Sequence, residues 1–183
     1  GGHIALVGAT VHNEGAIHAP GGQIVLAAGT DVELIDSATP NVSVKLNAGA
    51  GQVVNLGRLV AAGGRIDVHA GTVNQIGIVR ADSLSAGPAG EIVLQATDRL
   101  TLLGASETSA LGASGHGGKI QLLGREVGLL DTARVDASGA GGGGEVLVGG
   151  GLQGKDPNVP NAQAVYFGPG ASILADATVA GDG

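Results

Sequence analysis

Histidine and aspartate are the residues of this chain best suited to chemistry, and neither type has the spacing that chemistry needs. His3, His12, His18, His69 and His116 are dispersed, no cysteine accompanies them, and no His-Glu-x-x-His segment puts two imidazoles on one helical face. They flank apolar positions, which predicts solvent-facing strand residues and no metal site. Asp67, Asp82, Asp98, Asp131 and Asp136 also stand singly. Glycoside hydrolysis needs two carboxylates about 5 to 10 Å apart, and a lyase needs clustered acids with a basic partner. Tyr166 and Phe167 are the only aromatic residues, too few to form a platform for sugar rings. A polysaccharide-cleaving enzyme therefore ranks below any non-catalytic reading, and no catalytic residue is assigned.

Two glycine motifs imitate nucleotide sites. Gly139-x-Gly141-x-x-Gly144 has the dinucleotide spacing, but an alternating strand pattern, Glu145 to Val148, follows where a helix N-terminus is required. Gly117-Gly118-Lys119 suggests a phosphate loop, yet Ala113 stands where its first glycine belongs and Ile120 replaces the magnesium-binding hydroxyl. Both read as backbone corners, and no cofactor is expected. A calcium nonapeptide repeat fails as well, since the run Gly141 to Gly144 leads into Glu145 and Val146 with no aspartate ladder.

The composition narrows the class. Among 183 residues there are 36 Gly and 6 Pro, yet 43% are hydrophobic and only 14% charged, so there is enough aliphatic surface to fold. A core without large rings must be built from thin aliphatic layers, which suits stacked strands. The net charge of −7, with nine Lys and Arg scattered singly, excludes a phosphate-binding patch, so no nucleic acid partner is expected. No apolar run approaches the roughly 20 residues of a spanning helix, and no charged segment followed by an apolar one opens the chain. Neither membrane insertion nor an export signal of its own is expected.

A repeat organises the rest. One or two glycines, a polar residue, then apolar-x-apolar recurs with first apolar residues Ile4, Ile24, Ile66, Ile92, Ile120 and Val146, and a degenerate copy at Asn41 to Leu46 places Val44 in the one double-length gap. The resulting spacings of 20 to 28 residues are those of one solenoid turn. Apolar residues alternate with polar or small ones, the period of a half-buried strand. A second strand follows each phrase, as at Thr10 to Asn13, Asp31 to Leu34 and Gln52 to Asn55, and a third precedes the next glycines, as at Ala16 to His18 and Arg58 to Val60. The predicted architecture is all-β: a right-handed parallel β-helix of about seven three-stranded coils, forming one unit over 1–183 and a rod on the order of 35 Å long.

Residues 149–161 break the alternation and hold two prolines, which predicts a loop extension off the shaft, with a milder departure near Ser106 to Gly117. Loops on a rigid scaffold are favoured places for recognition, so Gln153, Lys155, Asp156, Asn158, Asn161 and, just beyond, Tyr166 are the candidate ligand contacts. Unpaired strand edges at the two ends of the stack would also favour end-to-end association.

The phrases Val11 to Gly29, Val135 to Gly150 and Ala171 to Ala177 are similar, in sequence and in order, to the filamentous haemagglutinin family, exoproteins of two-partner secretion in Gram-negative bacteria. The resemblance implies a secreted, cell-surface location and a transporter partner, an outer-membrane β-barrel used during export. It further implies a structural role as the shaft of an adhesin, in cell adhesion, biofilm or host attachment. The alternative is a module of that adhesin binding exopolysaccharide, a host glycan or a host protein. The family's secretion domain carries Asn-Pro-Asn motifs, whereas only Pro40-Asn41 and Pro157-Asn158 occur here, and the chain begins in mid-pattern, which places the segment just after that domain or at its C-terminal rim.

Overall fold

The computed structural model describes residues 1–36, 42–48, 51–83, 85, 87–151, 154–155, 159 and 161–181. Among them there is almost no helix, and all but two of the strands fall into three parallel columns. The first contains β1 (His3–Gly8), β4 (Gln23–Ala28), the start of β9 (Arg65–Gln75), the start of β11 (Glu91–Leu102), β13 (Lys119–Leu123) and β16 (Glu145–Val148). The second contains β2 (Thr10–Asn13), β7 (Gln52–Asn55), the ends of β9 and β11, β14 (Glu126–Leu129) and β17 (Ala164–Phe167). The third contains β3 (Ala16–His18), β8 (Arg58–Val60), β10 (Ile78–Arg80), β12 (Glu107–Ser109), β15 (Arg134–Asp136) and β18 (Ser172–Leu174). The chain visits the columns in turn and returns one level along, so every strand pairs with its counterpart in the next level.

Register follows from the repeat. Ile4 pairs with Ile24, Ile24 with Ile66, Ile66 with Ile92, Ile92 with Ile120 and Ile120 with Val146. These side chains point inward, and Ile24, Ile66, Ile92 and Ile120 are fully buried. A ladder of Leu6, Leu26, Val68, Leu94, Leu122 and Val148 runs beside them. Each fully buried member contributes roughly 1.5–3 kcal/mol. At the end levels the inward rows of the three columns lie open: Leu6, Val165, Phe167 and Ile173 are exposed although their registers point them inward.

The expectation of seven levels is corrected to six, because the stretch assigned to an extra level folds differently. β5 (Asp31–Asp36) and β6 (Val42–Ala48) form an antiparallel hairpin outside the columns, with Glu33 opposite Lys45, and the second-column strand of this level is β7. Alternation reports one buried face and not the identity of the neighbour, so a hairpin and a solenoid strand look alike in sequence. Asn41 lies outside the described residues. The hairpin leaves the stack directly after β4, and β6 contacts β9. All six residues of β4 are buried, the outward-facing Gln23, Val25 and Ala27 included.

The second correction concerns Ser106 to Gly117. Glu107–Ser109 forms β12, paired with β10 and β15, and Thr108 points inward between Val79 and Val135 with no exposure. A Glu-Thr-Ser segment carries no apolar signal, so propensity and pattern both hid a strand that its neighbours impose. The hydroxyls of Ser106, Thr108 and Ser109 are buried there without protein partners.

Candidate functional site

A groove of about 720 Å³ runs along the corner between the third and first columns, floored by glycine. Alanines 19, 61, 81, 110 and 137 end the third-column segments, and each accepts a hydrogen bond from the glycine that opens the next strand: Gly22, Gly64, Gly90, Gly118 and Gly144. Those glycines stack so closely that a Cβ on any of them would overlap a carbonyl oxygen of the level below, which is why no other residue fits. The overlapped carbonyls are employed, since Arg65 N donates to Gly22 O at 2.9 Å and Glu91 N to Gly64 O at 2.9 Å. Both nucleotide-like glycine motifs therefore end in this ladder, at Gly118 and Gly144, as backbone corners.

Along one wall run His3, Arg65, Glu91, Lys119 and Glu145, successive partners in the first column apart from Gln23, which stands between His3 and Arg65. Their charges alternate and neutralise one another. Arg65 pairs with Glu91, and Lys119 Nζ lies 3.2 Å from Glu145 Oε2. Such a wall offers no net field for a charged ligand.

Beside it lies a buried polar cluster. Asp67 is 2% exposed on the outer face of β9, where it accepts from Gln23 Nε2 at 2.7 Å and from Arg65 Nε at 2.8 and 2.9 Å. Burial opposes the Arg65 charge, but Asp67 and Glu91 together hold its pKa above the ordinary value. His69, expected to face solvent, instead has a side chain only 12% exposed. Burial lowers its pKa against the opposing pull of Asp67, 4.0 Å away. The cause of that correction is the covered outer face, which no local pattern announces. Histidines 3, 12, 18 and 116 are exposed as expected.

The acids do not converge. Asp67 serves Arg65, Asp98 pairs with Arg125, Asp136 with Arg134, Asp82 accepts from Leu111 N at 2.8 Å and Asp131 from Gly104 N at 2.9 Å. Among the described residues no group of three His, Cys, Asp or Glu is arranged to hold a metal ion. Each carboxylate orders the scaffold locally.

Of the predicted contact residues, Gln153, Asp156 and Asn158 lie outside the described residues. Lys155 is exposed, and so is Asn161, whose Nδ2 donates to Gly154 O at 2.9 Å. Tyr166 stands apart from that turn, on β17, 58% exposed, and it lines a notch of about 240 Å³ with Arg99, Thr101, Glu126, Val127, Gly128, Leu130 and Ala164. Apart from Tyr166, sequence reasoning missed the members of this notch, Arg99, Glu126 and Gly128 among them, because only the register Thr101, Gly128, Tyr166 brings them together.

No family model matches the sequence, and no curated protein matches it. Among solved structures it is similar to the HMW1 secretion domain from Haemophilus influenzae, with 34% sequence identity and a TM-score of 0.86. That likeness covers 96% of this chain and 47% of the other, so the chain spans about half the length of the structure it matches. The columns, the glycine corner and the hairpin thus belong to a chain that is similar, over nearly all its length, to part of a secretion domain.

Proposed function

We propose that this chain is the β-helical part of a secretion domain of a two-partner secretion exoprotein, recognised by an outer-membrane transporter and delivered to the surface of a Gram-negative cell. The observation that carries this reading is the likeness to the HMW1 secretion domain over 96% of the chain. The resemblance of three sequence phrases to filamentous haemagglutinins points the same way. The segment then belongs to the secretion domain itself and not to the region that follows it.

In this reading the three columns wind as a right-handed parallel β-helix of six three-stranded coils, the hand that parallel crossovers take in about 98% of cases. Residues 1–183 form one unit and 149–161 a loop extension. The work of the unit is mechanical and non-enzymatic: in-register ladders make a stiff rod that begins an adhesin shaft. Deleting residues 3–174 from the full exoprotein, expressed with its transporter, tests it. Retention of the product inside the cell is expected, and undiminished release to the medium would overturn the reading.

A further inference from the structure

Gly128 is a glycine that the backbone does not require. It lies inside β14, its neighbours Val127 and Leu129 point into the core, and the position itself faces outward. A Cβ there would meet Thr101 Cγ2 at 3.8 Å and Leu130 Cγ at 3.9 Å, ordinary contacts, whereas the corner glycines would overlap backbone. Glycine inside a strand costs roughly 0.5–1 kcal/mol relative to alanine and marks places where a ligand or another backbone approaches closely. Among the described residues no backbone fills the space, because Gly128 opens into the 240 Å³ notch.

The walls of that notch have a definite chemistry. On one side stands Tyr166, a flat ring with a polar tip, in register with Gly128. On the other side of Gly128 is Thr101, and along the edge runs the ion pair Arg99–Glu126, whose two hydrogen bonds, from Nε at 2.9 Å and Nη2 at 2.6 Å, converge on Glu126 Oε2. Glu126 Oε1 and Arg99 Nη1 thereby keep hydrogen-bonding capacity. The volume lies below the roughly 300–1,000 Å³ of sites for drug-sized ligands, enough for one ring. An apolar ring face beside a paired donor and acceptor complements a pyranose, whose C–H face stacks on an aromatic ring while its hydroxyls both donate and accept.

We infer that the Gly128 notch is a subsite for a single hexopyranose residue of a glycan, stacked on Tyr166 and held by Arg99 and Glu126. The inference is independent of the secretion reading, which survives its failure. The chain has one tyrosine and no tryptophan, so tyrosine emission reports on this notch alone. The chain is titrated with methyl β-galactopyranoside and separately with methyl α-mannopyranoside, in wild type, Gly128→Val and Gly128→Ala. A ring of about a dozen heavy atoms binds with a Kd on the order of millimolar. Saturable change with at least one sugar is expected, weakened at least about tenfold in Gly128→Val, whose thermal unfolding is no lower than that of the wild type. Gly128→Ala, which the geometry accommodates without strain, gives an intermediate weakening and replaces the valine variant if that fails to fold. A flat trace with both sugars, or equal affinity in the filled variants, would overturn the subsite.

Discussion

The inward column that ends each second-column strand changes its chemistry halfway along the stack. Its first three members are Asn13, Asn55 and Gln75, and its last three are Leu102, Leu129 and Phe167, all in one continuous register. The amides form a buried chain, Asn13 Nδ2 to Asn55 Oδ1 at 2.8 Å, Asn55 Nδ2 to Gln75 Oε1 at 2.8 Å, and Gln75 Nε2 to Gly77 O at 2.8 Å. The leucines are fully buried hydrocarbon. What differs beside them is the corner that follows. Between the second and third columns the early levels have two residues, 14–15, 56–57 and 76–77, and the late levels four, 103–106, 130–133 and 168–171. At the two-residue corner 76–77 an interior amide, Gln75 Nε2, reaches the Gly77 carbonyl beside its bond from Glu107 N. A four-residue corner uses left-handed Gly104 and Asp131, a bond from Gly104 N to Asp131 Oδ2 and one from Thr132 Oγ1 to Gly104 O, which frees the column for hydrocarbon.

The sharpest way to break this contrast is at the corner residue whose carbonyl accepts from the next level, which is Gly15, Gly57 and Gly77 in the tight corners and Ser106 and Ala133 in the wide ones. A Cβ on Gly77 would overlap the backbone of Gly57 and Leu56. Gly77→Ala is expected to cost about 3 kcal/mol or more in urea unfolding, while Ala133→Gly costs at most about 1 kcal/mol. Similar costs for both would mean that the corners do not differ sterically.

Next comes the amide chain. Asn55→Leu strands the Asn13 donor and the Gln75 acceptor inside the core, for an expected loss of about 2–3 kcal/mol. The reverse exchange, Leu102→Asn, buries an amide where a self-satisfied corner offers it nothing, and about 2 kcal/mol is expected. If Leu102→Asn proved neutral, the column would be indifferent to chemistry and the corner argument would fail. Asp131 gives a smaller effect: its φ of 54° disfavours most side chains, so Asp131→Ala, which also loses the bond to Gly104 N, should cost about 1–2 kcal/mol. Asp131→Asn should be nearly silent in the same unfolding experiment.

The same contrast explains how far the sequence could be read. Wherever glycine, polar residue and apolar-x-apolar recur, register follows, from Ile4 through Val146, because the glycine corner is sterically obligatory at every level after the first. The hairpin at 31–48 escaped, since its alternation matches that of a coil, and β12 escaped because Thr108 is held inward by pairing on both sides and not by its own hydrophobicity. Asn13 and Asn55 read as ordinary polar strand ends until stacking shows them to be buried. Of the notch residues, the sequence singled out Tyr166 as a contact just beyond the 149–161 loop, while Gly128, Arg99 and Glu126 needed the register between levels, with 27 residues separating Arg99 from Glu126.

The two faces of β9 extend the comparison from the corners to the outer surface. His69 alternates with the inward Val68 and Ala70, yet it is nearly as sheltered as they are, and Gln95 hydrogen-bonds it in the neighbouring strand. Its pKa is lowered chiefly by burial, partly countered by Asp67. The unfolded chain therefore takes up the proton more readily than the folded one, and stability is lost as pH falls below the unfolded value of 6.5 toward the lower folded value. Thermal unfolding measured across that interval should show a melting temperature that declines on acidification, and His69→Asn should flatten the decline without abolishing the fold. A slope unchanged in that variant would mean that the covered face tolerates the charged imidazole, and that the hairpin does not seal the outer side of β9 as tightly as the stack seals its interior.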